Sequence, residues 1–417
     1  MKRSYFVVLL VFLIFFVISL LTNIQGPLLP DIISSFHISL FMAGFLPFFF
    51  FLAYFVVSIP AGLLIERYDE KPVLIGAFAL AFVGSGLFVL KPVYGMALFS
   101  LFTIGVGMAL LQVAINPLLR AAGGGENYAF NSVLAQLIFG SASFFSPYLY
   151  SYLVQHLHTK LAVQNAGIRL LAKVVPNSLP WISMYWIFMA VTLLMVLVLI
   201  FVRIPKVVLT EDERFGSWET HKLLLKNKHV LLFFVGIFCY VGTEQGVSNW
   251  ISEFLQKYHG LDPQVEGAHA VAHFWGLLTL GCAVGLLLLK LWDSRRLLVA
   301  YGILAAITLG FALFGSKSVA TMAFPLVGFW ASIMWGIIFS LALNSVDQHH
   351  GAFTGILCTG IIGGAIVPPV IGKLGDLFGL RIGMSVLFIT LAYIIGVGLW
   401  AKPIVNNATI GKKEEAL

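Results

Sequence analysis

Gly62-Leu63-Leu64-Ile65-Glu66-Arg67-Tyr68-Asp69-Glu70-Lys71-Pro72 sets a dense cluster of charges between two long apolar segments. A worn copy, Lys290-Leu291-Trp292-Asp293-Ser294-Arg295-Arg296, holds the same place in the second half, Asp293 lying 224 residues after Asp69 in a chain of 417. A short charged hinge that recurs just over half a chain later marks a duplicated membrane bundle, the parallel-repeat plan of many secondary transporters.

Composition agrees. Hydrophobic residues make up 60% of the chain and charged residues 10%, against about 25% charge in soluble domains. A crossing helix needs about 20 mostly apolar residues. The sequence predicts twelve such spans, near 5–24, 39–65, 73–91, 94–118, 128–153, 181–203, 230–256, 266–289, 297–315, 319–344, 353–373 and 382–401. Unpaired backbone groups cannot face lipid, so the expected fold is an all-α polytopic membrane protein with two pseudo-symmetric six-helix bundles. The run after Lys2 and Arg3 lacks a small-residue cleavage site and reads as the first span, ending at the Gly26-Pro27 break, not as a signal peptide. Cys239, Cys282 and Cys358 are scattered through apolar segments and read as packing residues, with no disulfide framework or metal site.

The net charge of +7 is topology. With both termini cytoplasmic, seventeen of the 25 Lys and Arg residues fall on inside loops and tails, the bias that sets orientation in a membrane. Nucleic acid is therefore not an expected partner. Residues 1–203 form the first predicted bundle, 204–229 a central cytoplasmic loop, and 230–417 the second bundle with a short tail. Gly123-Gly124-Gly125 lacks the following Lys-Ser/Thr of a phosphate-binding loop, so an ATP-driven pump has no support. Neither a nucleophile–base pair nor a metal cluster emerges, so no enzyme and no cofactor is expected.

Ionisable and amide groups inside spans are costly and mark pathways or packing contacts. Glu244 stands out, in Tyr240-Val241-Gly242-Thr243-Glu244-Gln245-Gly246-Val247-Ser248-Asn249-Trp250 of the seventh span. Glu244 and Ser248 share one helix face, Gln245 and Asn249 the next. This reads as a seat for a coupling ion, Na+ or H+; the alternative is a structural hydrogen bond between helices. Gln112 and Asn116 line one face of the fourth span, with Asn131, Ser132 and Gln136 on the fifth. Amides both donate and accept, which suits sugar hydroxyls, although interhelical bonding, worth about 0.6 kcal/mol per bond, also explains them. Gln25, before the Gly26-Pro27 break, is a further substrate candidate. Trp250, Trp275 and Trp335 offer apolar faces for a pyranose ring, whereas Trp181 and Trp186 read as interfacial anchors. Gly363-Gly364 and Pro368-Pro369 in the eleventh span are places for a bundle to bend, or for close packing.

The 62–72 cluster resembles the loop 2–3 signature of the major facilitator superfamily, with Glu66 where that family prefers Asp and Asp69 where it prefers Gly. The resemblance implies the major facilitator fold. The expected cytoplasmic gate is Gly62, Glu66, Arg67, Asp69 and Lys71, latching spans 2 and 3 against the end of span 11. Gln112-Val113-Ala114-Ile115-Asn116-Pro117, Leu134-Ala135-Gln136 and Gly363-Gly364-Ala365-Ile366-Val367-Pro368-Pro369 together look like the fucose:proton symporter family, which includes sodium-coupled glucose carriers. That resemblance implies a monosaccharide carrier working by alternating access, a functional monomer in lipid, with Asn116 and Gln136 near the sugar. The two acids that the fucose carriers use are missing: Gly26-Pro27 precedes Leu28-Leu29-Pro30, and Gln112 replaces a Glu. Cation symport through Glu244 is therefore the first expectation, and uncoupled sugar facilitation or export of drugs or other small molecules the alternatives.

Overall fold

The computed structural model describes residues 5–123, 128–157, 165–202, 204, 218–346 and 350–403. Helices fill them, with no strand among the described residues. Twelve are long and apolar enough to cross a membrane. In order they are spans 1 (Tyr5–Phe36), 2 (Leu40–Ile65), 3 (Glu70–Leu90), 4 (Tyr94–Arg120), 5 (Asn131–His156), 6 (Pro180–Phe201), 7 (Lys228–Ser248), 8 (Pro263–Leu291), 9 (Ser294–Phe314), 10 (Lys317–Leu343), 11 (Ala352–Phe378) and 12 (Leu380–Trp400).

The duplication shows in the packing. Span 1 packs on 5, 2 on 4, 3 on 4 and 3 on 6. Adding six to each number gives 7 on 11, 8 on 10, 9 on 10 and 9 on 12, all of which are present. The halves meet through spans 2 and 11 and through spans 5 and 8, two seams that the same operation exchanges. This is the pair of pseudo-symmetric six-helix bundles that the repeated hinge predicts.

Span 1 corrects one expected boundary. It does not end near residue 24: the helix breaks at Asn23 and Ile24, then resumes over Gln25–Phe36. Pro27 falls in the first turn of the second piece, where amide hydrogens have no intrahelical acceptor, so a proline there costs little. Span 7 breaks alike at Asn249 and Trp250 and continues over Ile251–His259. Trp181 is no interfacial anchor. It is buried edge-on against Phe36, and its indole N–H donates to Ser35 Oγ at 3.0 Å, pinning the end of span 1. In span 11 a 3-10 turn at Gly360–Ile362 precedes the glycine pair, and both prolines lie inside the α-helix that follows.

Candidate functional site

The membrane face where span 1 begins is called the N-terminal face here, and the other the far face. From mid-membrane outward, the halves are sealed on the far face. Gly44 of span 2 lies against the backbone of Pro368 and Pro369, and Gly372 of span 11 against the carbonyl of Leu40. Only glycine admits so close a backbone approach. Beside this contact, the two carboxylate oxygens of Asp376 accept from the N–H groups of Leu40 and Phe41, each at 2.9 Å. An acid of one half thus caps the first helix turn of the other, satisfying donors that a helix start leaves open. In the second seam, Gly276 and Gly140 take Phe144 and Thr279 across the interface, and Tyr148 meets His273 at 3.0 Å. Asp31 joins both halves: Tyr150 of span 5 donates to it, and Gln264 at the start of span 8 donates from Nε2 at 2.9 and 3.2 Å.

On the N-terminal side, Gln112 is half-buried while Asn116 and Arg120, one and two turns further along span 4, are exposed, as is Gln136 on span 5. Asn116 Nδ2 donates to the carbonyl of Gln112 at 3.3 Å. Amides exposed within spans are costly against hydrocarbon, whereas Arg120 ends its span, where water is within reach. Exposed amides thus give spans 4 and 5 a polar stripe on the N-terminal side.

Between the sealed face and this polar stripe sit the two helix breaks. Along span 7 the polar groups bond end to end. Asn249 Nδ2 donates to Gln245 Oε1 at 3.2 Å, Gln245 Nε2 donates to Glu244 Oε1 at 3.2 Å, and Tyr240 O–H donates to Glu244 Oε2 at 2.6 Å. Tyr240 lies 6.0 Å from Trp335, which stacks on Phe339 at 5.6 Å. Span 7 thus carries an acid whose two oxygens are both held, beside an aromatic wall from span 10. Span 1 carries the converse. Asn23 Nδ2 donates to Ser143 Oγ at 2.8 Å, but both amide atoms of Gln25, 6% exposed, have no partner. Gly26, next along, lies against Ser248 and Asn249 of span 7, so the helix turn that carries Gln25 packs at the seam of the halves. A buried amide without partners costs about 1–3 kcal/mol unless something hydroxylic arrives to bond it.

Most sequence candidates gather here: Gln25, Glu244, Gln245, Ser248 and Asn249 at the breaks, with Trp335 beside Tyr240. Gln112, Asn116 and Gln136 stand apart from them, on the polar stripe of spans 4 and 5. Trp250 and Trp275 are buried, with indole N–H groups that find no acceptor. Among the described residues there is no group of His, Cys, Asp or Glu able to hold a metal ion. At the hinge, Gly62 is buried, Arg67 lies over the ring of Tyr68 at 5.3 Å, and Lys71 Nζ donates to Ile200 O at 2.9 Å, closing the end of span 6. The Glu66 side chain lies outside the described residues. Asp69 has φ +64° and ψ 171°, a backbone region nearly reserved for glycine, which explains why the family signature prefers Gly at this place.

Sequence reasoning missed Asp31, Gln264 and Asp376. A signal for Asp376 was present. Gly372-x-Leu374-x-Asp376-x-x-Gly379-x-Arg381 repeats the pattern of Gly62-x-Leu64-x-Glu66-x-x-Asp69-x-Lys71, and Gly379 has φ +91° where Asp69 has +64°. The hinge between spans 11 and 12 is the hinge between spans 2 and 3 set on the opposite face.

Residues 11–361 match the profile of the Major Facilitator Superfamily. The chain belongs to that family. It is a multi-pass membrane transporter, not an enzyme. The glucose/galactose transporter of Brucella abortus (strain 9-941) is 30% identical over 396 residues, 93% of this chain and 92% of the relative. The L-fucose-proton symporter of Escherichia coli K12 is 26% identical over 381 residues, 88% of this chain and 86% of that one. The crystal structure of a bacterial homolog of the human lysosomal transporter Spinster shares the fold, with a TM-score of 0.78 at 15% identity, covering 95% and 97% of the two chains.

Proposed function

We propose that this transporter carries a monosaccharide across the membrane by alternating access, coupled to a cation at Glu244. The observation that carries the sugar reading is the orphaned, buried amide of Gln25, one residue before the glycine that packs on the polar break of span 7. A sugar hydroxyl can both donate to and accept from it. The names of the relatives, a glucose/galactose transporter and a fucose symporter, support the same substrate class.

The excess of Lys and Arg on loops of the N-terminal face puts that face, and both termini, in the cytoplasm. On this reading the sealed face is the outer one, and the exposed amides of spans 4 and 5 lie on the cytoplasmic side. To open outward, spans 2 and 11 and spans 5 and 8 must part, which breaks the Asp376 cap and the Asp31–Gln264 bonds. The 62–71 hinge, with Glu66 and Arg67, cannot latch the end of span 11 as expected, because that end lies on the far face beside Leu40. It would latch the cytoplasmic start of span 11 in the opposite state. Substrate and ion drive the exchange only as far as they bind the two states differently.

Sugar uptake into proteoliposomes under imposed Na+ or proton gradients tests the coupling. Wild type should show gradient-stimulated uptake of labelled glucose, galactose or fucose, and Glu244→Gln should keep exchange but lose the stimulation. A second reading, uncoupled facilitation, has one observation in its favour: both Glu244 oxygens are already bonded within span 7. Equal gradient-independent uptake in the two proteins would establish it.

A further inference from the structure

On the far face of the C-terminal half, three cationic or titratable side chains meet with no acid between them. Arg381 opens span 12, Lys317 opens span 10, and His259 ends the helix that continues span 7. The Arg381 guanidinium lies between two rings, 4.7 Å from the centroid of Tyr258 and 5.8 Å from that of Phe314. Its backbone N–H donates to Tyr258 O–H at 3.1 Å, which fixes the start of span 12 against the end of the span 7 extension. Such stacking orients a guanidinium but leaves its charge unmatched. Among the described residues no carboxylate pairs with any of the three. Arg381 Nε and His259 Nε2 are buried without a hydrogen-bond partner. Burial first, then Arg381 and Lys317 alongside, push the His259 imidazole below its ordinary value. It therefore adds a hydrogen-bonding nitrogen more than a third charge.

The surroundings say where an acceptor would come from. Phe314, Phe378 and Ile382 are 64%, 61% and 53% exposed and rim the cluster with apolar surface. Phe314 ends span 9 and Arg381 begins span 12, so the cluster lies at the level where hydrocarbon gives way to headgroups. We infer that Arg381, Lys317 and His259 form a phosphate site at the membrane rim, with a lipid headgroup as its ligand. A phosphate oxygen supplies the acceptor that Arg381 Nε lacks, and such charge-assisted bonds are the strong ones. Basic pockets between spans hold anionic headgroups on the cytoplasmic side of membranes, and the same chemistry is offered here on the far face. The inference is independent of what the transporter carries.

Thermal unfolding of the purified full chain in nonionic detergent, followed by tryptophan fluorescence, tests it. Phosphatidylglycerol, uncharged diacylglycerol and inorganic phosphate are titrated in turn. Phosphatidylglycerol should raise the midpoint of the wild type, and diacylglycerol should not. In Arg381→Gln and Lys317→Gln the half-saturating lipid concentration should rise about tenfold, the loss expected for one charge-assisted bond. Lys317 is exposed, so its variant keeps the fold if Arg381→Gln does not. Native mass spectrometry should find one retained phospholipid on the wild type and none on the variants. A rise with inorganic phosphate alone, lost in the same variants, would keep the phosphate chemistry but overturn the lipid source. Identical lipid responses in all three proteins would overturn the site.

Discussion

Span 1 breaks at Asn23 and Ile24, and span 7 breaks 226 residues later at Asn249 and Trp250, yet the polar groups beside the two breaks are handled in opposite ways. In span 7, Asn249, Gln245, Glu244 and Tyr240 satisfy one another in a line. In span 1, Gln25 is buried with both amide atoms idle. The hinges repeat the contrast. Asp293 adopts φ −61° and caps span 9, accepting from the N–H groups of Arg295 at 3.0 Å and Arg296 at 3.3 Å. Asp69, at the matching place, is held at positive φ with no side-chain cap on the helix it precedes. Duplication preserved the scaffold and left the chemistry free to diverge. The second half holds a finished acid site, while the first holds an amide with bonding capacity to spare.

The sharpest way to break this comparison is Gln25→Leu. Sugar binding by titration calorimetry should weaken about tenfold or more, while the ligand-free protein should gain on the order of 1 kcal/mol because an idle buried amide is removed. Lost stability with unchanged binding would make Gln25 a packing residue. Asp376→Asn should shift the balance of states toward an open far face about fivefold, the worth of a helix cap of about 1 kcal/mol. Double electron–electron resonance between labels on the far ends of spans 2 and 11 reads that shift, and an unchanged distance distribution would remove the cap from gating. Asp293→Ala should cost about 1 kcal/mol in thermal unfolding as span 9 loses its cap. Asp69→Gly should raise stability by a few tenths of a kcal/mol or more, since strain of this kind costs about 1–3 kcal/mol and glycine flexibility returns about 1 of it. If both aspartates behaved alike, the two hinges would not differ as described.

Much of this architecture was legible in the sequence. Hydropathy gave the twelve spans, and the 224-residue repeat gave the pseudo-symmetry. The local ladder of span 7 was also legible, because i, i+4 spacing puts Gln245 over Asn249 without any tertiary information. What stayed hidden depends on the other half of the molecule. Asp31 looked like a loop residue because Gly26-Pro27 read as a helix end, whereas a proline in the first turn of a resumed helix is harmless. Its partners, Tyr150 and Gln264, lie 119 and 233 residues away. The Trp181 contact with span 1 spans 146 residues and turned an expected membrane anchor into core. Asp376 was within reach, had the hinge pattern been sought on the opposite face.

Lys71 of the first hinge grips Ile200 O two residues before Val202, where span 6 has ended and the polypeptide departs toward the second bundle. The C-terminal end of span 6 is therefore tied to the same turn that carries the charges of the first hinge. A pull on the end of span 6 would reach the junction of spans 2 and 3 directly, making the hinge a mechanical anchor as well as an electrostatic one.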